Sequence, residues 1–232
     1  MARQKDRRLG AASHSAGKPR KTQRSKRALA IFDRLQAAYP DAACSLNYMT
    51  PFQLLVGTIL AAQCTDHRVN LVTQTLFKKY RKPEDYLAVP REEIEDDIRT
   101  CGFFRQKAKS IAKTCARIIE CHGGEVPRTL EELLALDGVG RKTANVVMGE
   151  CFNTPGVIVD THCRRLSLRL GFTSSQDPAK IEKDLMAIWP RETWTQFSHC
   201  LLFHGRAVCL ARKPRCPECP INDLCPYGEA RP

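Results

Sequence analysis

The sequence has no run approaching 18 consecutive apolar residues, so no segment reads as a transmembrane helix. No apolar h-region follows its basic N-terminus, so no secretory signal is expected. No stretch alternates apolar and polar residues convincingly, which argues against strands, and no solenoid-type repeat is visible. Acidic residues are scarce at one end. Residues 1–27 hold ten Lys/Arg against the single acid Asp6, so +9 of the net +12 sits there. Most of that excess lies in a tail, residues 1–24, rich in Ser, Gly and Ala and expected to be disordered. It suits salt-sensitive attraction to a polyanion, or serves as a solubilising extension. Gly10, Gly17 and Pro19 argue against the amphipathic helix of a mitochondrial transit peptide.

What remains is a chain with 43% hydrophobic residues among 232, enough for a real core in one large domain or two small ones. Almost every segment reads as helix, so the expected fold class is all-α. Ser25 is placed to cap a helix carrying Ile31, Phe32 and Leu35. Thr50-Pro51-Phe52-Gln53 combines a capping box with proline at the first helical position, opening a nearly all-apolar, central helix to about Ala62. Thr65 or Asp66 caps the next. An acidic helix from Arg91 to about Cys101 is interrupted by Gly102-Phe103-Phe104, and Arg105 to His122 forms another. Asp160, Asp177-Pro178 and Thr193 open three further helices.

The stretch Leu130 to Cys151 reads as helix, tight turn, helix. Thr129 and Glu132 form a capping box, Gly138-Val139-Gly140 breaks the chain, and a second helix begins near Arg141. Such a turn presents backbone N–H groups at a helix N-terminus, which suits a phosphate and a sequence-independent grip on DNA. The alternative is an ordinary interhelical turn. Lys142 lies in the first turn of that helix, where the dipole disfavours an ammonium and so favours the free amine a nucleophile needs. A plain phosphate contact is the competing role. Asp160, 18 residues on, is placed as an N-cap, where backbone donors favour the carboxylate.

Twelve cysteines without a signal peptide point to a reducing compartment and buried free thiols rather than six disulfides. Four of them, Cys209, Cys216, Cys219 and Cys225, are spaced x6, x2 and x5 in a short loop, as a metal site requires. Spacing alone leaves one Zn²⁺ and an iron–sulfur cluster both open.

Leu-Asp-Gly-Val-Gly-Arg-Lys-Thr-Ala-Asn (136–145), Val-Asp-Thr-His (159–162), Ala-Ala-Gln-Cys-Thr-Asp (61–66) and the four-cysteine spacing together resemble the endonuclease III family of DNA base-excision glycosylases. The resemblance covers about Ser25 to Cys225. It implies two helical lobes flanking a DNA cleft. One is a six-helix barrel over 47–156 with the helix-hairpin-helix. The other joins 25–46 to 157–232 and carries a 4Fe–4S cluster on the four cysteines, leaving 1–24 as the tail. It implies a bifunctional glycosylase and lyase acting as a monomer on damaged duplex DNA, with oxidised pyrimidines as substrate, Lys142 as nucleophile and Asp160 assisting it. Gln63 and Phe103 would enter the duplex, and Gly138, Val139, Gly140, Arg141, Thr143 and His162 would contact it. Phe103 stands where the family often has leucine, and Asp137 where it often has proline. A mismatch or adenine-specific glycosylase of the same fold is the near alternative, and a non-catalytic DNA-binding or redox-signalling module the distant one. Lys142 argues against the first, and the second would leave Lys142 and Asp160 together unused.

Overall fold

The computed structural model describes residues 21–229, so most of the basic tail lies outside the described residues. Twelve α-helices and short 3₁₀ turns, with no strand, make up the described part. In chain order they are α1 (Lys21–Ala38), α2 (Pro51–Leu60), α3 (Asp66–Lys79), α4 (Pro83–Leu87), α5 (Arg91–Asp97), α6 (Phe104–His122), α7 (Leu130–Leu134), α8 (Arg141–Cys151), α9 (Thr161–Arg169), α10 (Pro178–Met186), α11 (Trp194–Ala207) and α12 (Pro226–Glu229).

Local chemistry sets most boundaries. Thr50, Thr65, Thr129, Asp160 and Asp177 each accept a backbone N–H from the first turn of α2, α3, α7, α9 and α10. Ser25 does not cap. The first helix already includes Lys21, so Ser25 lies within it, and Arg24 donates to the carbonyl of Phe172. The second helix stops at Leu60, two residues before the expected end, with Ala61 as its C-cap.

The buried side chains form two cores. One gathers α2 to α8 around Leu54, Leu55, Ile94, Ile111, Ile118 and Val147. The other joins α1 to α9, α10 and α11 around Ile31, Leu35, Leu166, Phe172, Trp189 and Phe197. The chain thus crosses from its first helix into one core and returns near residue 157 to build the other. In the second core Trp189 stacks on Phe197 at 4.1 Å between ring centroids, and its indole N–H donates to the Ala28 carbonyl.

A polar clasp holds the cores together. Arg141 of α8 makes a two-pronged ion pair with Glu182 of α10, at 2.7 and 2.8 Å, and Asn145 donates to the same carboxylate and to the Val157 carbonyl. The Glu182 side chain is only 6% exposed. Removing the guanidinium strands a buried carboxylate. Arg141→Ala should therefore lower stability by about 2 kcal/mol, discounted because the arginine itself is half-exposed, as read by thermal unfolding.

Candidate active site in the interlobe cleft

The Gly138–Gly140 turn is built by packing as much as by its own residues. Gly138 has φ +76°, and a Cβ there would lie 2.9 Å from Ser110 Cβ of α6, so glycine is needed twice over. Gly140 differs from expectation. Its backbone is extended, at φ −95° and ψ 175°, and a Cβ would meet nothing. Only Gly138 needs left-handed freedom, while Gly140 keeps the approach to the turn open. Val139 is buried and its N–H donates to the Leu136 carbonyl, so its amide is not free for a ligand. Gly140 caps α8 without a side-chain acceptor, so the first amides of that helix lack any internal partner. Asp137, a negative charge beside this anion-friendly end, is offset by Lys113 at 3.3 Å. Thr114 fixes the turn through the Asp137 carbonyl.

Lys142, exposed in the first turn of α8, and Asp160, at the start of α9, belong to different cores. They line the same two adjoining cavities between the lobes, together with Ala61, Asp66 and Arg206. The Asp160 carboxylate is anchored by the Cys163 N–H at 2.6 Å, the geometry of an N-cap. Thr143 lines one cavity and His162 the other. His162 packs against Gly205, where a Cβ would sit 2.7 Å from its Nδ1. Burial holds the imidazole below its ordinary range, opposed by the nearby Asp160 charge. Gln63 sits in the turn after α2, between Ala61 and Cys64 of the cleft wall, exposed and in left-handed backbone at φ 53°. Phe103, before α6, is 67% exposed and also left-handed, at φ 47°. The guanidinium of Arg141, another expected DNA contact, pairs with Glu182 through two of its nitrogens, and its backbone N–H lies at the uncapped start of α8.

Three features in and around the cleft leave no mark in the sequence. Arg206 of α11 pairs with Asp66 of α3 at 2.7 Å, a link across the cleft between two residues that line both cavities. Glu150 of α8 accepts from Tyr48 at 3.0 Å and pairs with His199, which lines the cleft, at 2.7 Å. The hydrogen bond to His199 is the leading cause that holds the Glu150 carboxyl below its ordinary range, against the opposing effect of burial. A carboxyl with a depressed folded pKa contributes stability above its unfolded pKa and loses it as pH falls through the lower folded value. Thermal stability should fall across that acid window, and Glu150→Gln should lack that part of the acid limb in melts recorded against pH. The third feature is Lys107, a buried amine within the first core. No local pattern marks these groups, because partners such as Asp66 and Arg206 lie as many as 140 positions apart in the chain.

The four terminal cysteines surround a separate cavity in the second lobe, lined also by Leu166, Arg169 and Tyr227. Arg169 donates to Cys209 Sγ at 3.2 Å and to the carbonyls of Leu210 and Ala211, and lies over the Tyr227 ring. His204 Nε2 is 3.4 Å from Cys219 Sγ. Arg27 reaches the Leu224 carbonyl from α1. Four thiols around an open space, with a cationic donor pointed at sulfur, fit an anionic iron–sulfur group.

Comparison with known proteins agrees with this arrangement. Residues 56–191 match the HhH-GPD superfamily base excision DNA repair protein family, and residues 209–225 match the iron–sulfur binding domain of endonuclease III. The chain is 53% identical to endonuclease III of Synechocystis sp., over 89% of this chain and 95% of that one. It is 50% identical to endonuclease III of Bacillus subtilis, over 86% and 91% respectively. A solved structure described as a trapped endonuclease III–DNA covalent intermediate superposes with a TM-score of 0.84 at 48% identity, covering 88% of this chain and 97% of that one. Among the described residues no helix is long and apolar enough to cross a membrane. With the hairpin, the cleft and the cysteine loop in matching order, the chain belongs to the endonuclease III family of DNA glycosylases and AP lyases, and its cofactor is a 4Fe–4S cluster.

Proposed function

We propose that the interlobe cleft removes oxidised pyrimidines from duplex DNA and nicks the strand, with Lys142 as nucleophile and Asp160 as its partner. The observation that carries this reading is the shared cleft. An amine at the uncapped N-terminus of α8 faces the same cavities as a carboxylate anchored at the start of α9 in the other lobe.

The duplex backbone docks on the Gly138–Gly140 turn, where a phosphate takes the place of a side-chain cap on the free amides of α8. The damaged nucleotide leaves the stack, which costs a few kcal/mol and less for a damaged base. Gln63 and Phe103 enter the gap. Thr143 and His162 border the sugar and phosphate within the cleft. Asp160 stabilises positive charge developing on the sugar as the glycosidic bond breaks. The free amine of Lys142 attacks C1′, and the base departs with the electrons of the glycosidic bond. Nζ gives up a proton, the ring oxygen leaves C1′ and takes one up, and a protonated imine then links Nζ to C1′. Removal of a C2′ proton expels the 3′ phosphate, and hydrolysis of the imine restores the amine.

Cys209, Cys216, Cys219 and Cys225 hold the 4Fe–4S cluster, at the end of the lobe formed by α1, α9, α10 and α11. Bound there, the cluster would tie the cysteine loop, with its exposed Arg212, Lys213 and Arg215, to that lobe. The working unit is a monomer on damaged double-stranded DNA, at the nucleoid in the cytoplasm if the chain is bacterial and in the nucleus or mitochondrion if it is eukaryotic. A mismatch or adenine-specific activity would leave Lys142 without a role.

The test is incubation with duplex DNA carrying thymine glycol in the presence of borohydride. A covalent protein–DNA adduct is expected. Release of base without an adduct would remove the lysine from the chemistry, and no release from any lesion would leave a binding module.

A further inference from the structure

Lys107 is only 5% exposed, and its amine is buried between two helix ends. Its Nζ donates to the Leu60 carbonyl at 2.7 Å and to the Cys101 carbonyl at 2.7 Å. Leu60 is the last residue of α2, and Cys101 the last of the 3₁₀ turn Arg99–Cys101. Both carbonyls are at C-terminal ends, where a helix leaves acceptors unused and favours a cation. The two oxygens are thereby kept within two hydrogen-bond lengths of each other.

Each of these ends leads directly into a residue expected to enter the duplex. Gln63 comes three residues after Leu60, and Phe103 two residues after Cys101. Both are exposed non-glycine residues in left-handed backbone. That conformation costs about 1–2 kcal/mol for a residue with a Cβ, and persists only where the surroundings impose it. The Lys107 backbone N–H also donates to the Phe103 carbonyl, at 3.0 Å, in the first turn of α6. One residue therefore holds the approach to both turns by its side chain and one of the turns by its backbone.

A long apolar side chain would fill the same space without taking an amine out of water, a costly step. Filling is not holding. Only a multiple donor ties two carbonyls to one point. Burial lowers the Lys107 pKa, while the neighbouring Cys64 and Cys101 thiols oppose that shift. Either protonation state carries enough N–H groups for both carbonyls.

We propose that Lys107 is a positioning residue for base extrusion, setting the distance between Gln63 and Phe103 so that both enter the duplex at one gap. This rests on the reading that Gln63 and Phe103 enter the DNA. Lys107 touches neither substrate nor reacting atoms, and its effect belongs to the step in which the duplex is opened.

The experiment compares two reactions under single-turnover conditions: excision of thymine glycol from a duplex, and nicking of an abasic site in a single strand, where there is no gap to fill. Lys107→Met should lower duplex excision by about tenfold to a hundredfold, the scale of a misplaced group remote from the chemistry. Single-strand nicking should remain at the parent level. Equal loss in both reactions would mark Lys107 as merely structural, and parent-level duplex excision would overturn the proposal outright. Should Lys107→Met fail to fold, Lys107→Arg decides, since it keeps a cation and its donors but displaces the nitrogens. It should fold, lose duplex excision and keep single-strand nicking. Gln63→Ala and Phe103→Ala serve as separate controls. If both excise at the parent level from duplex, the insertion reading itself has failed, whereas loss in both with a parent-like Lys107→Met removes only the positioning role.

Discussion

Lys142→Gln should abolish the borohydride-trapped adduct and strand nicking, by about a thousandfold or more, while duplex binding is largely kept. An amide nitrogen cannot form an imine, because its lone pair is delocalised into the carbonyl. The substitution is also structurally mild, since Lys142 is exposed and α8 is held by Ala144, Asn145, Val146 and Val147 on its buried side. The remaining grip on DNA comes from the turn and from the helix amides, which the substitution leaves in place. Gel-shift affinity and single-turnover nicking, measured on the same preparation, separate the two effects. If affinity and nicking fell together, Lys142 would be a phosphate contact and the nucleophile would lie elsewhere. Persistence of the adduct in the variant would point to another amine.

Gly138→Ala and Gly140→Ala should behave differently although they are two residues apart. Alanine at 138 must adopt φ +76° and bring its methyl to within 2.9 Å of Ser110 Cβ. The backbone term alone is about 1–2 kcal/mol, and the contact forces the turn away from α6 as well. Both stability and affinity for every duplex should drop. Alanine at 140 meets no protein atom and needs no unusual backbone, so the melting temperature should stay near the parent value. Its methyl, however, stands beside the uncapped amides of α8, where a phosphate must come close. Affinity should fall without loss of stability. Thermal melts and salt-dependent binding curves on the two variants decide the matter, and equal melting temperatures would remove the packing explanation for Gly138.

The helix starts were legible because a cap acts over three residues. Thr50, Thr65, Thr129, Asp160 and Asp177 signal their helices from within the first turn, and each one caps in the structure. Ser25 shows the limit of that reasoning. It has the right side chain, but α1 extends past it, with Arg24 and Arg27 bonded to carbonyls of the second lobe. Gly140 shows another. In the chain it has the same standing as Gly138, and only the folded turn against α6 distinguishes the glycine that is left-handed and has no room for a Cβ from the one with open space around it. The pairing of Arg141 with Glu182, 41 positions away, is likewise visible only in the fold. The short helix α4 has five residues, too few to show a period.

The amino-acid order by itself determined the helical class, the position of the glycine turn, the four-cysteine loop and the family these segments resemble. Each of these is carried by neighbours in the chain, through caps, backbone freedom or ligand spacing, and needs no knowledge of the rest of the molecule. Tertiary structure alone decided which faces meet. It brought Lys142 of one core and Asp160 of the other to one cleft, paired Asp66 with Arg206 and Glu150 with His199, and set Lys107 between two helix ends. Those contacts depend on how two hydrophobic cores pack against each other, a balance summed over many side chains that no short stretch of sequence contains.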